Sequence, residues 1–174
     1  MMANISIRPA TPEDVPLILT FIHELATYEK LAHEVVATER DMHEALFGER
    51  PVIEAVIASL DNEPVGYALC FSTFSTFLGK PGLYLEDLYV RPAARGFGVG
   101  RKLLEHLARV TVDRGWGRLE WSVLDWNEPS IAFYKKMGAT PMDEWTIFRL
   151  TGKNLESLAL RDSKIGRLPD PEIP

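Results

Sequence analysis

The stretch VRPAARGFGVGRKLLEHL, residues 90–107, sets an arginine ahead of three glycines at alternate positions and then turns into a helical pattern. Leu103, Leu104, Leu107 and Val110 recur at helical spacing. At the start of such a helix the unpaired backbone N–H groups and the helix dipole favour an anion. Gly96, Gly98 and Gly100 remove the side chains that hold a phosphate at a distance, and Arg95 and Arg101 add positive charge. Two readings follow from these residues: a cradle for a pyrophosphate, or a flexible turn whose glycines serve tight packing. The spacing G-x-G-x-G is not the dinucleotide fingerprint G-x-G-x-x-G, and it lies far from the N-terminus. A Walker loop is excluded as well, because Leu103 follows Arg101 and Lys102 and supplies no hydroxyl for magnesium.

On the N-terminal side, NISIRPA alternates and predicts a first strand. Thr11 as N-cap, Pro12 at the first helical position and Asp14 closing a capping box predict a helix to about residue 29. Its apolar face carries Val15, Ile18, Ile22 and Leu25. A second helix is predicted from Thr38 to about residue 47. Strands follow at 52–60, 65–76 and 83–90, with DNEP as a turn after the first and GKPG as a break before the third. Beyond the glycines the helix reaches about residue 114 and Gly115 ends it. RLEWSVL is read as a strand, and NEPSIAFYKKMG as a short helix with Asn127 as N-cap and Gly138 as its stop. EWTIFRL, residues 144–150, is read as the last strand. The tail from Ser163 carries prolines without periodicity and is read as extended. The order β-α-α-β-β-β-α-β-α-β describes a mixed α/β (α+β) sheet domain without an internal linker.

Composition narrows the function classes. A chain of 174 residues fits one domain with a sizeable core. A net charge of -6 argues against a nucleic-acid partner. No apolar run reaches membrane-spanning length, no secretory signal pattern opens the chain, and a single cysteine, Cys70, fits a reducing cytoplasm. Cys70 sits in an apolar run and reads as a small core residue. The four histidines show no metal-ligand spacing, so no metal is expected, and no Ser-His-Asp arrangement or G-x-S-x-G elbow appears.

Arg95-Gly96-Phe97-Gly98-Val99-Gly100 resembles the R-x-x-G-x-G pyrophosphate loop of the GCN5-related N-acetyltransferases (GNAT). LYLEDLYV is similar to that family's fourth strand and WNEPSIAFYKKMGA to its later Asn-to-Tyr helix. With IRPAT, ELATYEK and RGFGVG, the likeness runs from about residue 5 to 150 and is greatest to the diamine (spermidine/spermine and thialysine) branch. The resemblance implies the acyl-CoA N-acyltransferase fold, with a central, mostly antiparallel sheet flanked by helices. It implies one domain over residues 1–160, followed by a proline-containing tail at 161–174. It also implies acetyl-CoA as cosubstrate, direct attack of a small primary amine on the thioester, and a homodimer.

The resemblance assigns residues to each task. Backbone N–H groups of residues 95–101 hold the pyrophosphate, helped by Lys102 or Lys135. The fourth strand, at Leu88, Tyr89 and Val90, runs beside the pantetheine, and the Val90 N–H polarises the thioester carbonyl. Asn127, Ser130 and Tyr134, spaced i, i+3, i+7, share a helix face that lines the sulfur, with Tyr134 protonating the thiolate. Glu86 assists deprotonation of the acceptor amine. By strict alternation Glu86 shares a face with Tyr84, Leu88 and Val90 while Asp87 points the other way, unless a bulge intervenes. Tyr28 and Glu29 at the end of the first helix face the acceptor, and Trp126 and Phe77 are candidates for its apolar walls or for the core. In KLAHE, Lys30, Leu31 and His33 stand where the spermidine enzymes carry a richer run of acids. That departure favours a smaller amine, such as an amino-acid-like side chain or a short diamine, over a polycation. Two other readings stay open: a protein or peptide N-acetyltransferase, and a non-catalytic acyl-CoA-binding module.

Overall fold

Asp61 and Asn62 both adopt left-handed backbone angles, φ 50° and 71°, and so turn β2 (Glu54–Leu60) back into β3 (Glu63–Ser75). Short polar residues tolerate these angles, and the resulting turn matches the twist of paired strands. This hairpin is the centre of the computed structural model, which describes residues 4–160. β1 (Ile5–Pro9) pairs with β2, and β4 (Lys80–Val90) pairs with β3, all antiparallel. β5 (Leu119–Trp121) closes the order β1-β2-β3-β4-β5 by running parallel to β4, against Leu83–Leu85 only. The predicted mostly antiparallel sheet is thus observed.

The described residues divide after Asn127 into two compact units. In the first, Thr11 and Asp14 form the predicted capping box around a 3-10 turn, Pro12–Asp14, which leads into α1 (Val15–Tyr28). α2 (Glu39–Phe47) starts at Thr38, whose hydroxyl accepts from the Asp41 N–H. α1 and α2 cover one sheet face. Val15, Ile18, Phe21, Met42 and Leu46 form a core there with Ala55, Ile57, Tyr67, Leu69 and Tyr89. The Phe21 and Tyr67 rings stack at 5.4 Å. α3 (Val99–Asp113) buries Val99, Leu103, Leu104 and Leu107 outside that cluster. Cys70 is buried, as its apolar neighbours suggested, and burial pushes its thiol up to about 12.

Two boundaries differ from expectation. GKPG does not break the chain, since β4 already begins at Lys80. Pro81 is tolerated because it pairs with Phe74 while its carbonyl accepts from the Gly117 N–H on the other edge. Its missing N–H therefore falls outside the β3 ladder. β5 covers three of the seven residues in RLEWSVL.

The second unit holds α4 (Glu128–Lys136) and α5 (Gly152–Leu160). α4 ends as predicted at Gly138, φ 91°, where the Ala139 N–H reaches the Tyr134 carbonyl. Residues 144–150 form no strand despite their alternation, because no described residues pair with them in a sheet. α5 was not anticipated at all. The tail expected to be extended, 161–174, lies outside the described residues. No described helix is long and apolar enough to cross a membrane.

Candidate active site

β4 carries one residue too many for its partner. Leu69 pairs with Asp87 and Cys70 with Leu85, so Glu86 is left over as a bulge. Cross-strand partners share a face, and Tyr67, Leu69 and Phe71 alternate onto one face. Their partners Tyr89, Asp87 and Tyr84 therefore lie on it too, toward α1. This corrects the strict-alternation expectation: Leu88 and Val90 face opposite to Tyr84, and Asp87 does not point away from it. Glu86 itself is exposed.

Asp87, half-buried, accepts a hydrogen bond from the Tyr67 hydroxyl at 2.7 Å. Burial raises the Asp87 carboxyl, the Tyr67 bond opposes that rise, and Glu86 adds to it. Tyr67 is fully buried, and burial together with Asp87 holds its phenol well above the usual range. Glu29, the residue that ends α1, is raised by burial and then by Asp87. The geometry therefore couples Glu29, Asp87 and Glu86 into one anionic locus. Asp87 was missed as a candidate because alternation without the bulge sends it to the other face, and its partner Tyr67 was read only as part of a strand.

At the end of β4 the Arg91 N–H bonds to the Val65 carbonyl, which fixes the ladder parity. The Tyr89 amide group consequently faces β3, while the N–H and C=O of Leu88 and Val90 face the opposite edge. Arg95 bends back to that edge and donates from Nε to the Val90 carbonyl at 2.9 Å. Its guanidinium lies 4.9 Å from the Tyr28 ring and 5.9 Å from the Tyr89 ring. Arg91 clamps Glu24 of α1, with Nη2–Oε1 at 2.9 Å. A cleft of ≈ 590 Å³ opens here, with Glu24, Thr27 and Tyr28 on one wall and Tyr89, Pro92 and Arg95 on the other.

The glycine stretch follows directly. Gly96 and Gly98 take φ 85° and 92°, angles that L side chains resist, and a methyl group built on Gly96 would meet nothing within 4 Å. The first backbone bond of α3 runs from the Lys102 N–H to the Gly98 carbonyl, so the N–H groups just before it precede the helical ladder. Phe97 is exposed, Val99 is buried and anchors the helix start, and Gly100 lies in the first turn. Arg101 is turned along the helix to Glu105 at 2.7 Å, and Lys102 reaches the same carboxylate at 3.4 Å. Open space above positive-φ glycines, joined to a helix N-terminus, fits a pyrophosphate.

Tyr28 ties the end of α1 to the chain beyond β5. Its hydroxyl donates to Asn127 Oδ1 at 3.1 Å, and its ring lies 6.1 Å from Trp126. Trp126 is half exposed. Phe77 is 94% exposed on the β3–β4 connection, at the end of the hairpin remote from Val90, and is neither core nor wall to this site. In the second unit, Ser130 and Tyr134 sit one turn apart on α4, both half-buried, with the Phe133 and Tyr134 rings 5.4 Å apart. Lys135 is exposed on the same helix.

Comparison with known proteins agrees with this geometry. Residues 20–139 match the acetyltransferase (GNAT) family. Thialysine N-epsilon-acetyltransferase of Bos taurus is 38% identical, over 91% of this chain and 99% of its own length. L-ornithine N5-acetyltransferase NATA1 of Arabidopsis thaliana is 33% identical, over 87% of this chain and 86% of its own. Among solved structures, an integron cassette protein from the mobile metagenome of V. cholerae superposes with a TM-score of 0.75 at 26% identity. That match covers 91% of this chain and 98% of the other. With the sheet, the glycine-led helix and these matches in agreement, the chain belongs to the acetyltransferase (GNAT) family.

Proposed function

We propose that the protein transfers an acetyl group from acetyl-CoA to the primary amine of a small molecule by direct attack. The carrying observation is the course of β4: one strand runs from a carboxylate locus, through an open edge, into a glycine-led helix start. The relatives named for thialysine and L-ornithine acetylation support a small acceptor bearing a terminal amine. The match over residues 20–139 crosses the division after Asn127 and supports reading 1–160 as one acetyltransferase domain.

Acetyl-CoA supplies the activated acyl group, and this chain's residues hold it and move protons. Main-chain N–H groups of residues 95–101 bind the diphosphate, with Gly96 and Gly98 clearing the approach. Leu88 and Val90 present outward backbone groups to the pantetheine, with the Val90 N–H directed at the acyl oxygen. Arg95 fixes the Val90 carbonyl on that same edge. Tyr28, Glu29, Glu86 and Asp87 receive the acceptor. Its ammonium offsets the cost of carboxylates held away from water, and Glu86 takes the amine proton directly or through water. Asn127 and Ser130 line the cofactor arm, and the Tyr134 hydroxyl gives a proton to the departing sulfur. The same reading carries a cytoplasmic homodimer.

The test is thiol release from acetyl-CoA against a panel of primary amines, peptides and no acceptor. Saturable release with small amines is expected. Release with peptides alone would move the assignment to a protein acetyltransferase. CoA binding without release from any acceptor would reduce the protein to an acyl-CoA-binding module.

A further inference from the structure

Lys30 occupies a position that helices usually give to glycine. It is the first residue past the cap of α1 and holds φ 63°. Its N–H bonds to the Thr27 carbonyl at 3.1 Å, and the Leu31 N–H bonds to the Ala26 carbonyl at 2.7 Å. These two bonds close the helix end and fix the direction in which the lysine leaves the backbone. A left-handed conformation is unfavourable for a residue with a side chain, and here it sets the direction in which the lysine points.

That side chain runs to Trp126, with Nζ 5.5 Å from the ring centroid. Trp126 is in turn a neighbour of Tyr28, and Lys30 follows Glu29 in the chain. The ammonium is thus set against a ring that neighbours Tyr28, on the helix end that also carries Glu29. Among the described residues no carboxylate lies within ion-pair distance of Nζ. The aromatic contact orients the ammonium and leaves its hydrogen-bond donors to solvent or to a ligand.

We infer that Lys30 is a specificity-determining residue that pairs with the carboxylate of the acceptor, so that the acceptor is an ω-amino amino acid and not a diamine. The inference rests on the acceptor reading above and refines it. The locus then has two signs: Glu29, Asp87 and Glu86 attract the reacting ammonium, while Lys30 holds the anionic end and repels a second cation. A diamine of the same length brings its second ammonium to Lys30 without the neighbouring carboxylate that offsets the repulsion in the amino acid.

The experiment compares acceptors that differ only by a carboxylate: L-ornithine with putrescine, and L-lysine with cadaverine. kcat/KM is measured for wild type, Lys30→Gln, Lys30→Glu and Lys30→Arg. Wild type favours the amino acid of each pair. Lys30→Gln lowers that preference about tenfold, mainly through the amino acid's KM. Lys30→Glu turns the preference toward the diamine, and Lys30→Arg restores it. KM for acetyl-CoA and the melting temperature stay at wild-type values in Lys30→Arg. A wild-type preference for the diamines, or a Lys30→Gln variant with an unchanged amino acid-to-diamine ratio, overturns the role of Lys30 while leaving amine acetylation intact. Absence of turnover with all four amines overturns the acceptor reading, and this inference with it.

Discussion

The Tyr67 hydroxyl donates to the Asp87 carboxylate at 2.7 Å, between neighbouring strands, on the face that α1 covers. The bond favours the charged carboxylate while burial disfavours it, and burial prevails. Removing the hydroxyl in Tyr67→Phe leaves burial unopposed and raises Asp87 further. The acidic limb of kcat/KM for the amine is expected to move to higher pH, as read from a pH–rate profile with acetyl-CoA saturating.

Asp87→Asn keeps an acceptor for Tyr67 and removes the charge. A carboxyl raised in the folded state binds its proton more tightly there than in the unfolded chain. Wild-type stability therefore falls as pH rises through the unfolded carboxylate range up to the folded value. The variant escapes this loss, so it melts higher than wild type at neutral pH, and the advantage disappears below the carboxylate range. Amine turnover moves the opposite way, with kcat/KM down about tenfold or more. Melting and kinetics on the same preparation check both signs.

Gly98 stands at φ 92° immediately before α3. Gly98→Ala is expected to cost about 1 kcal/mol of stability and to raise KM for acetyl-CoA, with the amine KM little changed. Equal effects on both substrates would remove this loop from the cofactor's grip.

Arg95 combines one hydrogen bond to the Val90 carbonyl with two aromatic contacts. A lysine retains the charge but loses the planar stack and the Nε donor. Arg95→Lys and Arg95→Ala are thus expected to lose similar amounts of kcat/KM, about tenfold each. Full activity in the lysine variant would reduce the residue to a point charge.

Tyr134→Phe removes the proposed acid. kcat is expected to drop by about two orders of magnitude, with acetyl-CoA affinity, measured by calorimetry, largely kept. Normal turnover would reassign the acid.

Away from the site, Arg8 grips Asp14 through two bonds, at 2.6 and 2.7 Å, and Thr11 adds two more. The Arg8 bond is the main cause that lowers the Asp14 carboxyl to about 2. Such a group stabilises the fold above its unfolded pKa, and the gain is lost as pH falls through the folded value. Asp14→Ala is expected to cost about 1–2 kcal/mol at neutral pH, discounted because Arg8 remains half exposed, and little near pH 2. Denaturant titrations at the two pH values check this.

Much of the fold was legible because local chemistry agrees with tertiary placement. Thr11, Thr38, Gly98 and Gly138 mark helix ends by capping or by left-handed backbone, and the structure uses each of them there. The glycine stretch was equally readable, since its angles depend on its own residues. Long-range pairing was harder to read. Nothing local in LYLEDLYV announces that Glu86 is skipped by Leu69 and Cys70, and that omission decides where Asp87 points. EWTIFRL has strand-like alternation, but a strand exists only where another backbone accepts its bonds. Arg95 looked like part of an anion site from its neighbours in sequence, and its stacking on Tyr28 depends on a helix 67 positions earlier.

The supernumerary Glu86 makes the two halves of one strand run in antiphase. Up to Leu85 the leucines serve one layer of helices; from Asp87 onward the same parity serves the other. Deleting Glu86 would leave Leu85 opposite Cys70 and Asp87 opposite Leu69 as consecutive rungs of an unbroken ladder. The Tyr89 ring would keep its place, and only one rim carboxylate and the local kink would go. Drawing Glu86 into the ladder, with the register beyond it slipped by one, is the change that would turn residues 87 to 90 over and invert the wall on which acceptor recognition depends.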